Sequence, residues 1–141
     1  MIERLLLDTD TLSEILKGRN ETVLVHAAKY AGEAGQFTFT AVTVLAVLYG
    51  LHFKDAKQQL LVAQAAFEDN DIILSTFADY VTAGRVRGVA RTQGSQLTSD
   101  DCLIGACAER LGLPVVTGNQ KHFVAMQRAG LRVQLRNGKQ P

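Results

Sequence analysis

The sequence has almost no excess charge of either sign, with 15 Lys and Arg against 14 Asp and Glu for a net +1. That balance removes the bulk basicity that draws proteins to nucleic acid and the acidic excess that draws basic partners. Any RNA or DNA binding has to come from a local patch. Proline is scarce, with two in 141 residues, and 47% of the chain is hydrophobic. A disordered chain is thereby excluded, and residues 1–141 form one domain with enough apolar material for a substantial core. No apolar run approaches the roughly 18 residues of a membrane span, and the N-terminus lacks the charged-then-apolar layout of a signal peptide. A soluble, cytoplasmic protein with no membrane partner is expected. Only two cysteines occur, Cys102 and Cys107. Their spacing in one helix puts them on different faces, which suits neither a disulfide nor a shared metal; they read as reduced, packed thiols. Internal repeats, linkers and low-complexity segments are missing as well.

What is present is an alternation of short apolar runs and helical patterns. Strands are expected at Arg4–Leu7, Phe37–Thr40, Asp71–Leu74, Pro114–Thr117 and Leu131–Leu135. Helices are expected from Thr11 to Lys17, with Thr9 or Asp10 as the cap, and from Glu21 to Tyr30. Others follow from Thr43 to Gly50, Lys54 to Glu68, Thr76 to Arg91, Thr98 to Leu111 and His122 to Arg128, and residues 136–141 read as a frayed polar tail. Alternating strands and helices give a parallel sheet with helices on both faces.

In such a sheet the chemistry gathers at the carboxyl ends of the strands. Asp8 and Asn119 fall just past two of those ends, and Asp100 and Asp101 at a helix start can face the same crevice. Grouped carboxylates repel and are unfavourable to bury, and a hard divalent ion removes that cost. Mg²⁺ or Mn²⁺ accepts oxygen ligands and keeps waters, so two or three acids beside a phosphate suffice for phosphodiester hydrolysis. The plainer alternative is that Asp10 caps a helix and that Asp100 and Asp101 serve a helix dipole.

The opening Leu-Leu-Leu-Asp8-Thr9-Asp10-Thr-Leu-Ser-Glu, the segment Asp101-Cys-Leu-Ile-Gly-Ala-Cys-Ala, and Gly112-Leu-Pro-Val-Val-Thr117-Gly118-Asn119-Gln-Lys-His122-Phe123 resemble PIN-domain ribonucleases. More narrowly, they resemble VapC-type toxins of bacterial toxin–antitoxin pairs. The resemblance spans nearly the whole chain. It implies an α/β fold, a three-layer α/β/α domain with a central mainly parallel sheet, and an endoribonuclease using Mg²⁺ or Mn²⁺. It also implies an RNA substrate, a cognate VapB-type antitoxin, a homodimer and a larger toxin–antitoxin assembly. By the same resemblance Asp8 and Asp101 are catalytic metal-site acids and Asp100 is an auxiliary ligand. Asp10, Thr117 and Asn119 support them, and His122 stands where many members carry an Asp.

One departure is sharper. Thr40-Ala41-Val42-Thr43-Val44-Leu45-Ala46-Val47-Leu48-Tyr49-Gly50 matches the family's Ser-x-Ile-Thr-x-x-Glu-Leu-x-x-Gly segment, except that Ala46 stands where the pattern has its Glu. Without that acid, metal binding weakens and catalysis falls. Either the chain is a member that has lost the residue, or position 46 carries a Glu→Ala change that disarms a toxic nuclease; the intact remaining motifs favour the second. Arg85, Arg87, Arg91, Arg110, Lys121 and Arg128 are candidates for an RNA groove, and Tyr49 and Phe123 read as core rather than as base-stacking platforms. Two alternatives stand beside the nuclease. One is a non-catalytic module that binds RNA or antitoxin. The other is a phosphatase of the haloacid dehalogenase type, with Asp8 as nucleophile and Asp10 as acid/base.

Overall fold

A computed structural model describes residues 3–137. In chain order the elements are β1 (Leu6–Leu7), α1 (Thr9–Lys17), α2 (Glu21–Ala34), β2 (Thr38–Thr40), α3 (Ala41–Phe53), α4 (Lys57–Glu68) and β3 (Asp71–Ile73). They continue with α5 (Phe77–Thr92), α6 (Ser99–Leu111), β4 (Val115–Val116), α7 (Gln120–Arg128) and β5 (Leu135–Arg136). The sheet order is β3-β2-β1-β4-β5, and every pair is parallel. This is the expected three-layer α/β/α fold, with a sheet that is wholly rather than mainly parallel.

The pleat explains why the strands read as unbroken apolar runs. Successive side chains point to opposite faces, and a parallel sheet covered on both sides buries both sets. Leu6 and Val115 enter one core with Ile104, Phe123 and Met126, under α5, α6 and α7. Their neighbours Leu7 and Val116 enter the other with Leu12, Phe39, Val47 and Phe67, under α1, α3 and α4. Helix α6 packs close at Gly105, where a Cβ would lie 2.8 Å from Leu131 Cδ2 and 3.0 Å from Met126 Sδ.

Several boundaries differ from the expected ones, each for a local reason. Helix α1 starts at Thr9 because Asp8, and neither Thr9 nor Asp10, is its cap; the Thr11 N–H donates to Asp8 Oδ1 at 2.8 Å. Helix α2 runs to Ala34 because Gly35, at φ 86, is the first residue to break it. Thr40 caps α3, which begins at Ala41 and passes through Gly50 to Phe53, while Lys54 and Asp55 turn the chain before α4. The last strand is not Leu131–Leu135 but Leu135–Arg136, paired with β4. Arg136 therefore belongs to the sheet, and its guanidinium donates to Glu3 Oε1 at 2.8 Å. Residues 138–141 of the expected tail lie outside the described residues. Among the described residues no helix is long and apolar enough to cross a membrane.

The end of α6 is locked to the start of α5 by a pair between the buried Asp79 and the solvent-edged Arg110. Arg110 Nε donates to Asp79 Oδ1 at 2.9 Å, and its Nη2 donates to Asp79 Oδ2 at 3.0 Å and to the Leu74 carbonyl at 3.2 Å. The Cys107 thiol donates to the same carboxylate at 3.3 Å. Burial alone pushes Asp79 up, but the hydrogen bonds from Arg110, the Thr76 N–H and Cys107 outweigh it and hold the group below its ordinary range. Both cysteines are free and buried, and burial pushes Cys102 up to about 11, so the packed-thiol reading holds. Arg110→Ala leaves the buried Asp79 carboxylate with only the Thr76 N–H and the Cys107 thiol and is expected to lower stability by about 1–3 kcal/mol in urea unfolding at neutral pH. A depressed acid contributes above its unfolded value and loses that contribution as pH falls through the folded one, so the difference between the two proteins should shrink on acidification.

Candidate functional site

Strands β1 and β4 are neighbours, so their carboxyl ends bring Asp8 and Thr117 side by side. The Asp8 N–H donates to the Val116 carbonyl at 3.1 Å, and the Thr117 N–H donates to the Arg136 carbonyl at 2.9 Å. Asp8 is only 3% exposed. Its Oδ1 caps α1, and its Oδ2 accepts the Thr117 hydroxyl proton. Burial pushes the Asp8 carboxyl above its ordinary value of 3.8, with a small addition from the charge on Asp10, although hydrogen bonds from Thr117 and Thr11 oppose the shift.

A line of contacts leads from Asp8 to the second acid. Thr117 Oγ1 accepts the Asn119 N–H at 2.9 Å, and the Asn119 side-chain amide lies 3.0 Å from His122 Nδ1. His122 Nδ1 in turn lies 3.1 Å from Asp101 Oδ2. Asp101 stands in the first turn of α6, fixed there because Thr98 caps that helix through the Asp101 N–H. The structure therefore brings together Asp8, Thr117, Asn119 and Asp101, and adds His122 as the link. That residue carried a sequence signal only as a departure from an acidic position.

The other expected residues are divided among separate places. Asp100 is exposed on the first turn of α6. Asp10 is exposed and, with Ser13, Glu14, Lys17 and Asn119, lines a cavity of about 270 Å³. Ala46 lies on α3 one turn beyond Thr43, whose hydroxyl lies 3.0 Å from that of Thr9, the residue after Asp8. It lines a cavity of about 120 Å³ with Ser13, Lys17, Val47 and Lys54. Arg85 and Arg87, two apart on α5, face different neighbours: Arg85 reaches toward Gly130, and Arg87 donates to the Leu97 carbonyl at 2.9 Å and to Ser99 Oγ at 2.8 Å. Arg87 thus braces the entry to α6, and Arg110 is held by Asp79, so neither is a free contact for RNA. Arg91, Lys121 and Arg128 are exposed. Phe123 is core at 1% exposure, as expected, but Tyr49 is 68% exposed because it stands on the outer face of α3.

Among the described residues no three His, Cys, Asp or Glu side chains converge so as to hold a metal ion. Position 46 presents a methyl group, Asp101 Oδ2 faces His122, and both oxygens of Asp8 have protein partners. The residues present do not fit a divalent ion.

A family model described as PIN domain matches residues 5–128. Among solved structures, the chain is similar to VapBC from Salmonella typhimurium bound to DNA, at 19% identity and a TM-score of 0.80, covering 97% of this chain and 99% of that one. It is similar to FitAcB from Neisseria gonorrhoeae at 23% identity and a TM-score of 0.77, covering 95% and 97%. A toxin–antitoxin complex from Klebsiella pneumoniae has 27% identity and a TM-score of 0.61, with 95% and 97% covered. No curated protein matches the chain by sequence.

An acid whose folded value is raised favours the fold below its unfolded value and penalises it once pH rises past the folded one. Asp8→Asn keeps a cap of similar strength and removes that charge, but its amide nitrogen replaces the acceptor of the buried Thr117 hydroxyl. The variant should unfold below the unchanged chain in calorimetry, by a margin that is smaller at pH 7 than near pH 3.8, where the unchanged chain has regained the stability its raised acid loses on ionising.

Proposed function

The chain belongs to the PIN domain family, and on that premise we propose that it is the toxin of a VapC-type toxin–antitoxin pair, an RNA-cutting scaffold interrupted at Ala46. PIN domains are in general nucleases that use divalent metal ions. The full-length similarity to VapBC and FitAcB supports the toxin reading and a VapB-type antitoxin as partner. Family membership displaces the phosphatase alternative.

In this reading Asp8 and Asp101 are the acids of the nuclease centre, and Thr117 and Asn119 orient Asp8. The active form takes Mg²⁺ or Mn²⁺, cuts RNA phosphodiesters and works in the cytoplasm. Arg85, Arg91 and Lys121 remain as basic residues for phosphate contact, whereas Asp100 and Asp10 are peripheral. The observation that carries the proposal is the place of Ala46. It shares a helix face with Thr43, three residues earlier, and Thr43 is tied to Thr9 beside Asp8. A helical side chain leans toward its own N-terminus, so a longer acid at 46 leans toward that junction. Alanine leaves the centre one carboxylate short, and the chain as it stands binds its partners with little or no cutting.

A homodimer is part of the same proposal, supported by α3. This helix is apolar on nearly every face, a pattern that belongs in a buried position. Yet Leu45, Tyr49 and Phe53 are 70%, 68% and 81% exposed at a spacing of four, with the Tyr49 and Phe53 rings stacked 6.4 Å apart. Aromatic side chains bury about 150–250 Å² each, so this stripe supplies a large part of the roughly 800 Å² per partner of a stable interface.

Ala46→Glu should cut RNA at least about a hundredfold faster than the unchanged chain in the presence of Mg²⁺ or Mn²⁺. EDTA, or Asp8→Ala in the same chain, should abolish the gain; an Ala46→Glu protein that leaves RNA intact would sink the nuclease reading. Separately, Tyr49→Glu with Phe53→Glu should convert a dimer to a monomer in light scattering while the circular dichroism spectrum is retained.

A further inference from the structure

We infer that the acidic site of this chain is closed by its own side chains, with His122 holding Asp101 in the role a bound cation would otherwise have. The inference rests on Asp8 and Asp101 being the acids of the site, and not on RNA being cut.

Two carboxylates at one sheet edge need compensation, which a cation or hydrogen-bond donors can supply. At Asp8 the donors are the Thr11 N–H and the Thr117 hydroxyl, one to each oxygen. Thr117 has a single proton and gives it to Asp8, because its oxygen also takes the Asn119 N–H. The orientation of this hydroxyl is therefore determined.

At Asp101 the donor is the imidazole. Nδ1 of His122 lies within hydrogen-bond distance of both Asp101 Oδ2 and the Asn119 amide, and one ring nitrogen holds at most one proton. A bare lone pair on Nδ1 would set two acceptors against each other at 3.1 Å. A proton on Nδ1 instead gives a hydrogen bond to a carboxylate, roughly twice as strong as one between neutral groups. The Asn119 amide nitrogen stands 3.0 Å from the same ring nitrogen, and a half-turn of the amide that exchanges its oxygen and nitrogen gives that N–H a second acceptor. The tautomer follows from the contact, and Asp101 Oδ2 is directed at a protein donor.

The result is a continuous line, Asp8–Thr117–Asn119–His122–Asp101, in which each acid is answered by the protein. Every fully buried side-chain nitrogen and oxygen among the described residues, those of Asp8 included, has a partner. Nor do any three potential ligands converge. An ion entering the site would have to displace His122 from Asp101 and would find no third carboxylate in return.

The isosteric pair His122→Asn and His122→Asp tests this without RNA. Asn keeps a nitrogen donor close to the place of Nδ1, whereas Asp has the same shape and sets a second carboxylate against Asp101. The unchanged protein should have the same Tm in EDTA as in Mn²⁺ or Mg²⁺, and should remove no Mn²⁺ from solution in electron paramagnetic resonance titrations. His122→Asn should behave alike. His122→Asp should lose stability in EDTA and regain roughly 5 to 10 °C at a hundredfold excess of Mn²⁺ over its Kd. A metal-dependent Tm or saturable Mn²⁺ binding in the unchanged protein overturns the inference, even if His122→Asp fails to fold. So does a His122→Asp protein as indifferent to metal as His122→Asn. An inert Ala46→Glu enzyme would refute the nuclease reading and leave this result standing.

Discussion

A carboxylate buried at the end of a central strand has to find donors within the protein, and much of this fold is arranged so that Asp8 does. Its backbone N–H pairs with β4, its Oδ1 starts α1, and its Oδ2 takes the hydroxyl of a residue on the neighbouring strand. Helix geometry and strand register therefore meet at one side chain. Burial still pushes its proton affinity up, which marks an acid kept at some expense to stability, as functional groups often are.

The second constraint is the pleat. Leu6 and Leu7 are adjacent in sequence but belong to cores on opposite faces of the sheet, as do Val115 and Val116. With both faces covered, the helices that follow β1 and β2 carry their first turns to one edge, where Asp8 and Thr40 are the caps. Helix α6 follows α5 and runs back toward β4, so its Thr98-capped first turn reaches the same edge and brings Asp101 to His122. The Asp79–Arg110 pair secures the far end of α6, whose N-terminal turn presents Asp101.

Much of this was legible in the sequence because it depends on short-range pattern. The apolar runs gave the first four strands, Thr76 and Thr98 announced the helices they cap, and the acids after the first strand and at the start of α6 marked the candidate site; the fifth strand lies later than its apolar run, at Leu135–Arg136. Misplacements were local too. Asp8 was expected to be free of a capping role, although a carboxylate one residue before a helix is a suitable cap. Arg87 and Arg110 looked like free basic residues because nothing near them in sequence reveals the groups they hold.

The sequence by itself determined the alternating parallel architecture and the position of the acidic edge, which follow from residue type and spacing, whereas Ala46 stands out only against the pattern of the family the sequence resembles. Only the tertiary structure decided which groups answer the two acids. Asp8 meets Thr117 across 109 residues, and His122 meets Asp101 across 21. Such contacts depend on strand order and helix orientation rather than on any local preference, so composition and periodicity carry no trace of them. The same two acids could have been left open to an ion. The folded chain answers Asp8 with the Thr11 N–H and Thr117 and Asp101 with His122, and Asn119 joins the two.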